Sequence, residues 1–367
     1  MNRREFLKTL VGGACAATLS AWRARWVVAA EAGKAVAKVA TPPAAGATVA
    51  IHKFAREQDA AKAVDAALEL IGGIDKIVRS GDVVVIKPNL VNATAGRWVG
   101  RVTGSRVMEG VIRAVADCGG KPVVAEGTCE HAYGTTVGFA RETGLLAVCR
   151  RYGAKFVDLN NDEVVRGKVP RPLLWSELHL ARQVTECDRF ISVPVMKVHR
   201  AAGVTLGMKN LVGITSAKFY GGGRQYVRAR IHEMERRMWR QRYGSDMHGE
   251  SEVVAWTPLG ATIADLASVR PIDLVVVDGT FGEERDSPSG DFVDIKERSG
   301  SYLVLAGADT VAVDSVGAHV MRQMPHRLQQ IRFAAAKGLG VSSIDQIRVV
   351  GERLEDVAVP LRGYLLG

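Results

Sequence analysis

The sequence predicts an α/β fold: a layered, largely parallel sheet flanked by helices, with an inserted basic helical segment. Two patterns indicate this class. Short, continuous apolar runs rich in Val and Ile are typical of strands buried on both faces, as in parallel sheets. Helix-like stretches separate these runs, and such strand–helix alternation is the pattern of layered α/β proteins.

The predicted strands are short apolar runs that end in polar or glycine residues. In chain order they are Asp82–Ile86, Pro122–Ala125, Lys155–Val157, Arg189–Val195, Asp273–Val277 and Tyr302–Leu305. The predicted helices lie between the runs. They are Asp59–Ile71, Ser105–Asp117, Ala261–Ser268 and Thr310–Met321. The second of them is followed by Gly119 and Gly120, and paired glycines are a strong signal for the end of a helix.

The composition is that of an ordinary globular protein. Of 367 residues, 47% are hydrophobic and 24% are charged, which excludes a disordered chain and is enough to bury a sizeable core. Aromatic residues make up only 6%, which argues against a stacking platform for nucleic acid. The formal net charge of +10 favours a small anionic ligand as partner, and no nucleic acid is expected.

The N-terminal residues are typical of a targeting segment. Arg3, Arg4, Phe6 and Lys8 precede the weakly apolar run Thr9–Ala21, and this order resembles a twin-arginine (Tat) signal. The resemblance implies a periplasmic or otherwise exported protein, with the Tat export machinery as a partner. The apolar run is shorter than the ~20 residues of a membrane span, so no stable span is expected in the mature chain. An uncleaved anchor remains an alternative.

The sequence divides into three parts. Residues 1–32 are the predicted twin-arginine signal segment and residues 33–47, rich in Ala and Pro, are a linker. Residues 48–367 form a single α/β domain with a basic insertion at about 218–250.

The cysteines do not match an iron–sulfur or zinc motif. No C-x-x-C pair occurs, so no iron–sulfur cluster and no zinc ribbon are expected. Cys118, Cys129, Cys149 and Cys187 could form one or two disulfides in an exported protein, or lie in the core as small apolar residues.

Polar residues follow an unusual number of the predicted strands. In parallel sheets the ligand gathers at the carboxyl ends of the strands, so these residues are candidates for a site. The segments concerned are Lys87-Pro88-Asn89, Glu126-Gly127-Thr128, Lys197-Val198-His199, Lys209-Asn210, Asp278-Gly279 and the residues from Asp309 to Asp314.

The order of these motifs resembles a known family. K-P-N, K-x-H, G-x-K-N-x-x-G, V-D-G and A-G-x-D-x-V-A-V-D follow one another between Val83 and Met321, as in the family called domain of unknown function 362 (DUF362). The resemblance implies a fold and a site rather than a reaction. Many relatives carry a ferredoxin-type cysteine module, which this chain lacks.

The candidate site residues fall into two sets by their chemistry. Glu126, Lys197 and His199 are candidate catalytic residues, because a carboxylate or imidazole can move a proton. Lys87, Asn89, Lys209 and Asn210 are candidate cofactor-binding residues: the lysines would neutralise a phosphate or carboxylate and the amides would orient it. The alternatives are lysines that extend from a sheet edge to solvent and asparagines that terminate turns.

A divalent metal is one candidate cofactor. His199 and His232, with Asp278 and Asp314, supply the nitrogen and oxygen donors that Zn, Fe or Mn accept. Asp265 could join them, or could only brace a helix. The alternative for the carboxylates is to bind backbone turns.

The segment Arg224–His248 carries seven arginines along a predicted helix. It is interpreted as a solvated helix face, a basic lid over an anionic ligand, or a docking surface.

Three functional hypotheses follow. The first is an exported enzyme, with an oxidoreductase-related role as one form, that acts on a small anionic ligand at the strand ends. The second is a non-catalytic protein that binds an anion or metal there. The third is a maturation or docking partner of an exported redox enzyme. The sequence alone does not decide whether the chain is an enzyme.

The twin-arginine interpretation predicts that Arg3→Lys/Arg4→Lys leaves the chain in the cytoplasm, because the paired arginines are the recognised part of the signal. Cell fractionation measures this, with Arg23→Lys/Arg25→Lys as the matched control. Unchanged export of the first variant would contradict the interpretation.

Overall fold

The computed structural model describes residues 47–91, 99–128, 136–221, 228–244, 257–285 and 290–363, together with the paired two-residue strands Val28–Ala29 and Lys34–Ala35. The twin-arginine motif, most of the linker, Cys129 and parts of the basic insertion lie outside the described residues. Cys118, Cys149 and Cys187 are not in disulfides.

The central element of the described chain is an eight-stranded sheet. Its strands in chain order are β1 Thr48–Phe54, β2 Val83–Pro88, β3 Lys121–Glu126, β4 Lys155–Asp158, β5 Arg189–Val193, β6 Leu274–Gly279, β7 Tyr302–Gly307 and β8 Arg348–Gly351. Their order across the sheet is β8-β1-β7-β6-β5-β2-β3-β4. The predicted α/β class is confirmed, because the sheet is largely parallel and helices cover it.

Helices pack on both faces of this sheet. They are α1 Ala60–Leu70, α2 Ser105–Asp117, α3 Thr136–Glu142, α4 Leu145–Arg151, α5 Arg182–Glu186, α6 Ala217–Tyr220, α7 Ala229–Tyr243, α8 Thr257–Val269, α9 Ile295–Ser299, α10 Thr310–Val320 and α11 Gln329–Ala336. Helices α1 to α4 share one core with alternate strand residues such as Val84 and Ile86. Helices α8, α10 and α11 share the other core with Val85 and Val275, because successive strand side chains point to opposite faces.

Three antiparallel hairpins complete the described strands. They pair Val164–Lys168 with Glu177–Ala181, Lys197–His199 with Gly203–Thr205, and Phe281–Glu284 with Asp291–Asp294. The second hairpin comes directly after β5 and leads into the 3-10 helix Lys209–Ile214. The pattern of apolar runs did not predict these hairpins, nor β1 and β8.

One strand direction was predicted wrongly. Strand β7 was expected to be parallel, but it runs antiparallel to both β6 and β1. The chain between β6 and β7 holds a hairpin and the short helix α9, not a crossover across a face, so it returns in the opposite direction. The carboxyl end of β7 therefore lies at the edge of the sheet opposite the carboxyl ends of the other strands. Asp309 and Asp314 come after β7 in the chain, so they do not start from the predicted ligand edge.

Asp265 of α8 connects three parts of the second core. Its carboxylate accepts the N–H groups of Leu173, Leu174 and Trp175 at 2.8–3.0 Å, and forms a 2.7 Å ion pair with Lys337. Both charged side chains are buried, and burial lowers the pKa of Lys337. These contacts are those of a residue that braces its helix, which is one of the two roles considered for Asp265.

Asp265→Asn is expected to lower the free energy of unfolding by about 3–5 kcal/mol, because it leaves the buried Lys337 ammonium without its counter-charge. Denaturant unfolding followed by circular dichroism measures the change. Asp117→Asn, at an exposed carboxylate at the end of α2, is the matched control and should change stability by less than ~0.5 kcal/mol. Equal stability of the two variants would contradict the bracing role.

Candidate functional site

A buried ion pair joins the ends of β2 and β3. The Lys87 Nζ lies 2.6 Å from Glu126 Oε1 and donates to Asn210 Oδ1 at 3.0 Å and to the Pro88 carbonyl at 3.1 Å. The two charged side chains are each only 2% exposed. An ammonium has three protons, and the described acceptors alone are enough to engage them, so an incoming anion would have to displace one of these bonds.

Glu126 is held as a carboxylate acceptor. In addition to Lys87, it accepts the N–H of Leu90 at 2.8 Å and the N–H of Gly127 at 2.7 Å. These three donors fix the side chain in place. The predicted role of Glu126 as a catalytic base stays a prediction. The contacts of Glu126 with Lys87 and Leu90 connect the end of β3 to the end of β2.

Two asparagines complete this cluster. Asn210 Nδ2 donates to Ser192 Oγ at 3.1 Å and to the carbonyls of Lys87 and Pro88 at 3.2 Å. Asn89 Nδ2 donates to Asn210 Oδ1 at 3.3 Å, and Asn89 Oδ1 is buried without a hydrogen-bond partner. The structure thus brings together Lys87, Asn89, Glu126 and Asn210 of the predicted set.

Glycines of the G-x-K-N-x-x-G motif allow this close packing. A Cβ at Gly213 would lie 2.8 Å from Lys87 Nζ and 3.0 Å from Glu126 Oε1. A Cβ at Gly207 would lie 2.8 Å from Val275 and 3.0 Å from Asp314 Oδ1. The two glycines of this motif therefore allow residues 207–213 to pack closely against side chains of the sheet.

A second set of side chains acts electrostatically on His199, and together with His199 we call this set the basic group. Its members are Lys197, His199, Arg200, Lys209 and His232. The hairpin after β5 carries the first two, with Lys197 Nζ donating to the carbonyl of Arg101 at 2.8 Å. The 3-10 helix carries Lys209, and α7 carries His232. The predicted residues Lys197, His199 and Lys209 thus lie in one electrostatic environment.

His199 is neutral at physiological pH. Loss of hydration is the largest cause that holds its pKa well below the usual value, followed by the charges of Lys209, Lys197, His232 and Arg200. Its Nδ1 accepts the N–H groups of Ala201 at 3.1 Å and Ala202 at 3.2 Å. A neutral imidazole that accepts at Nδ1 carries its proton on Nε2, so His199 offers a hydrogen-bond donor within the basic group.

His232 has a buried carboxylate partner. Its Nδ1 lies 2.9 Å from Glu235 Oε1, and Glu235 is fully buried while the His232 side chain is 34% exposed. The Thr262 hydroxyl donates to the other Glu235 oxygen at 2.8 Å. The Thr262 oxygen itself accepts the Trp175 Nε1–H, also at 2.8 Å. Sequence reasoning missed Glu235, although the i, i+3 spacing on one helix was a signal for it.

The two predicted metal carboxylates have other partners. Asp278 accepts the N–H of Gly104 at 2.7 Å and the N–H and hydroxyl of Thr280 at 2.9 and 2.6 Å. Asp314 accepts the N–H groups of Gly207 at 2.7 Å and Met208 at 3.0 Å. Burial raises the pKa of both carboxyls, that of Asp314 to about 7.

Among the described residues, no three His, Cys, Asp or Glu side chains are grouped so that they could hold a metal ion. The predicted set of His199, His232, Asp278 and Asp314 is therefore not assembled as a ligand sphere. The physical reason is that backbone N–H and hydroxyl donors already occupy both aspartates.

Arg228 was not singled out by sequence reasoning, although it is buried, unlike the other described arginines of the basic insertion. It donates to the carbonyls of Gly127 at 3.1 Å, Gly213 at 3.0 Å and Thr215 at 2.7 Å, and to Asn160 Oδ1 at 2.7 Å. It thus connects the start of α7 to the ends of β3 and β4. One arginine among seven in a run gave no sequence signal for this role.

The chain belongs to the family described as domain of unknown function (DUF362), whose model matches residues 84–319. The resemblance predicted from the motifs is confirmed. Within the described part of the chain, none of the helices combines the length and the apolar character that a membrane crossing requires.

Two known proteins are similar to this chain. A thylakoid-associated protein of Synechocystis sp. is 24% identical over 278 residues, which cover 75% of this chain and 73% of that protein. The lactate racemase apoprotein from Thermoanaerobacterium thermosaccharolyticum has a TM-score of 0.39 and 14% sequence identity. That comparison covers 76% of this chain and 58% of the length of the racemase chain.

The raised pKa of Asp314 predicts a pH dependence of stability. An Asp in an unfolded chain titrates near 3.9, so between about pH 4 and pH 7 the folded chain binds more protons at Asp314 than the unfolded chain does. The stability that this protonation contributes is full below about pH 4 and is lost as the pH rises through about 7.

The free energy of unfolding of the natural chain, relative to Asp314→Asn, should therefore fall by at least ~1.4 kcal/mol, the value of one pKa unit, between about pH 4 and about pH 8. Urea denaturation at both pH values measures it, with Asp117→Asn as the control. A difference independent of pH would contradict a buried, titrating Asp314.

Proposed function

We propose that this chain is an exported protein that binds a small anionic ligand at the basic group, beyond the carboxyl end of β5. The observation that carries the proposal is the electrostatic setting of His199. Among the described residues, the four charges that act most strongly on it belong to basic side chains, and each lowers its pKa. An anion placed among them would relieve this repulsion.

The donors of the basic group suit an oxyanion. The ammonium groups of Lys197 and Lys209 supply charge, and the Nε2–H of His199 supplies a directional hydrogen bond without a charge of its own. A neutral donor of this kind is less strongly hydrated than an ammonium, so it costs less to desolvate. A phosphate, sulfate or carboxylate group fits this set.

The location at the sheet edge also supports the proposal. In open α/β sheets, ligands bind beyond the carboxyl ends of the strands. The basic group follows β5, and the buried Lys87–Glu126 cluster lies at the ends of the neighbouring β2 and β3. In the buried cluster the charges of Lys87 and Glu126 compensate each other. The cluster also binds Asn210, and so supports the segment that carries Lys209.

The export route is a separate part of the proposal. Arg3, Arg4, Phe6 and Lys8 support a twin-arginine signal.

Lys209→Met tests the anion site, because it keeps much of the side-chain volume and removes the charge. Sulfate binding to the full chain, measured by isothermal titration calorimetry, is expected to weaken by about tenfold, which corresponds to ~1.4 kcal/mol. The matched control is Lys121→Met, an exposed lysine at the first position of β3 and thus at the opposite edge of the sheet.

The control should bind sulfate as the natural chain does. Equal affinity in all three proteins, or no saturable binding of sulfate or oxalate to the natural chain, would contradict the proposed anion site.

A further inference from the structure

Glu283, in the hairpin that follows β6, is a buried carboxylate that makes no hydrogen bond. Its side chain is 1% exposed, and among the described residues neither oxygen has a hydrogen-bond partner. Arg101 Nε lies 2.7 Å from Oε1 and balances the charge, although this ion pair lacks hydrogen-bond geometry. A buried acceptor without a hydrogen bond carries the full cost of its lost hydration. Glu283 therefore calls for a donor that the described residues do not supply.

Glu283 lies beside the proposed anion site. A Cβ added to its neighbour Gly282 would lie 2.3 Å from the carbonyl oxygen of Met196, so these two segments are in direct contact. Lys197, the next residue and a member of the basic group, donates from Nζ to the carbonyl of Arg101 at 2.8 Å. Arg101 therefore contacts both Lys197 and Glu283, and it alone separates the unsatisfied carboxylate from a cation of the basic group.

A second unsatisfied acceptor lies at the other end of the same short segment. Thr103 Oγ1 accepts the N–H of Asn89 at 2.8 Å, and the Thr103 N–H donates to the Asn89 carbonyl at 3.0 Å. Asn89 Oδ1 is buried and has no hydrogen-bond partner in the part of the chain that the structure describes. Residues 101–103 thus run between two unsatisfied acceptors, at the edge of the sheet where the ligand is proposed to bind.

The missing donor at Glu283 is a neutral group. Arg101 already balances the charge of Glu283, and Lys197 adds a second positive charge nearby. Both would repel a metal cation or a ligand ammonium at this place. A hydroxyl group donates a proton without carrying a charge, and so it matches the acceptor. A buried acceptor of this kind is selective, because a ligand without the hydroxyl leaves it unpaired.

We infer that Glu283, positioned by Arg101, binds a hydroxyl group of the ligand, so that the ligand is an anion whose carbon chain carries O–H groups. This inference rests on the proposed anion site and specifies the class of ligand that the site takes. The charged end of the ligand lies among the basic group, and a hydroxyl supplies the missing donor at Glu283. Because the acceptor is buried, residues 99–104 move to admit the ligand.

The test compares glycerol phosphate with propyl phosphate, by calorimetry with the full chain at about pH 8. Both are phosphate monoesters of the same length and are dianions at this pH, so they differ only in the hydroxyl groups of glycerol. The natural chain should bind glycerol phosphate about tenfold more tightly, because propyl phosphate leaves the charged acceptor unpaired.

Glu283→Gln should reduce this preference to about twofold or less. Arg101 keeps the amide oxygen on its own side, so an NH₂ group that cannot accept a hydrogen bond replaces the unsatisfied oxygen. Should this variant fail to fold, Arg101→Met/Glu283→Met removes both charges together and should abolish the preference. Glu297→Gln, at an exposed carboxylate of α9, is the matched control and should keep the natural preference.

The outcomes separate the two proposals. If neither phosphate ester binds to the natural chain, the anion site is wrong and this inference fails with it. If both esters bind with equal affinity, or if the preference persists without the Glu283 carboxylate, the anion site stands and this inference alone is overturned. A buried water would then be the donor to Glu283.

Discussion

The site depends on one constraint, which is that the chain from Leu206 to Ile214 must lie flat against the sheet. Asp314 of α10 binds the N–H groups of Gly207 and Met208, and three residues later Asn210 binds Ser192 of β5 and two carbonyls of β2. These bonds are buried, so breaking any one would leave a polar group without a partner, at a cost of about 1–3 kcal/mol. Lys209, between the two anchors, is thereby held close enough to affect the pKa of His199.

The two polar clusters differ in the charges of the residues that form them. Lys87 and Glu126 form a pair with matched charges and with donors and acceptors in balance, as buried charges require. In the basic group, four basic side chains act on the neutral imidazole of His199, and the proposed anion would lower the electrostatic energy there. The buried pair therefore contributes rigidity, and in the proposed site the basic group would contribute affinity, although both come from the same strand-end motifs.

Much of the fold followed from hydrophobic patterning. The apolar runs at Asp82–Ile86 and Pro122–Ala125 became β2 and β3 almost unchanged, and helix α2 has the predicted bounds. The direction of β7 could not be predicted in this way, because a buried antiparallel strand has the same apolar run as a parallel one. Strands β1 and β8 were missed for another reason. Thr48–Phe54 contains His52 and Lys53, and β8 has only two valines between Arg348 and Gly351, so neither forms a continuous apolar run.

The site was partly predictable for a related reason. Strand-end positions identified Lys87, Asn89, Glu126 and Asn210, which are in contact, since parallel strands bring their ends to one edge. The pairing of His199 and His232 with Asp278 and Asp314 failed to appear because sequence does not show which backbone N–H groups a carboxylate will bind. Glu235 was missed because it lies in a charged helix, where a buried carboxylate resembles an exposed one.

The central claim is that an anion binds among the basic side chains around His199. Its most direct test is the imidazole region of a ¹H–¹⁵N spectrum of the full chain, recorded near pH 7 with increasing sulfate. The predicted spectrum has His199 neutral with its proton on Nε2, and sulfate shifts the signals of His199 and His232 saturably while His326 stays unchanged. A protonated His199 in the absence of sulfate, or equal shifts of all three imidazoles, would contradict the claim.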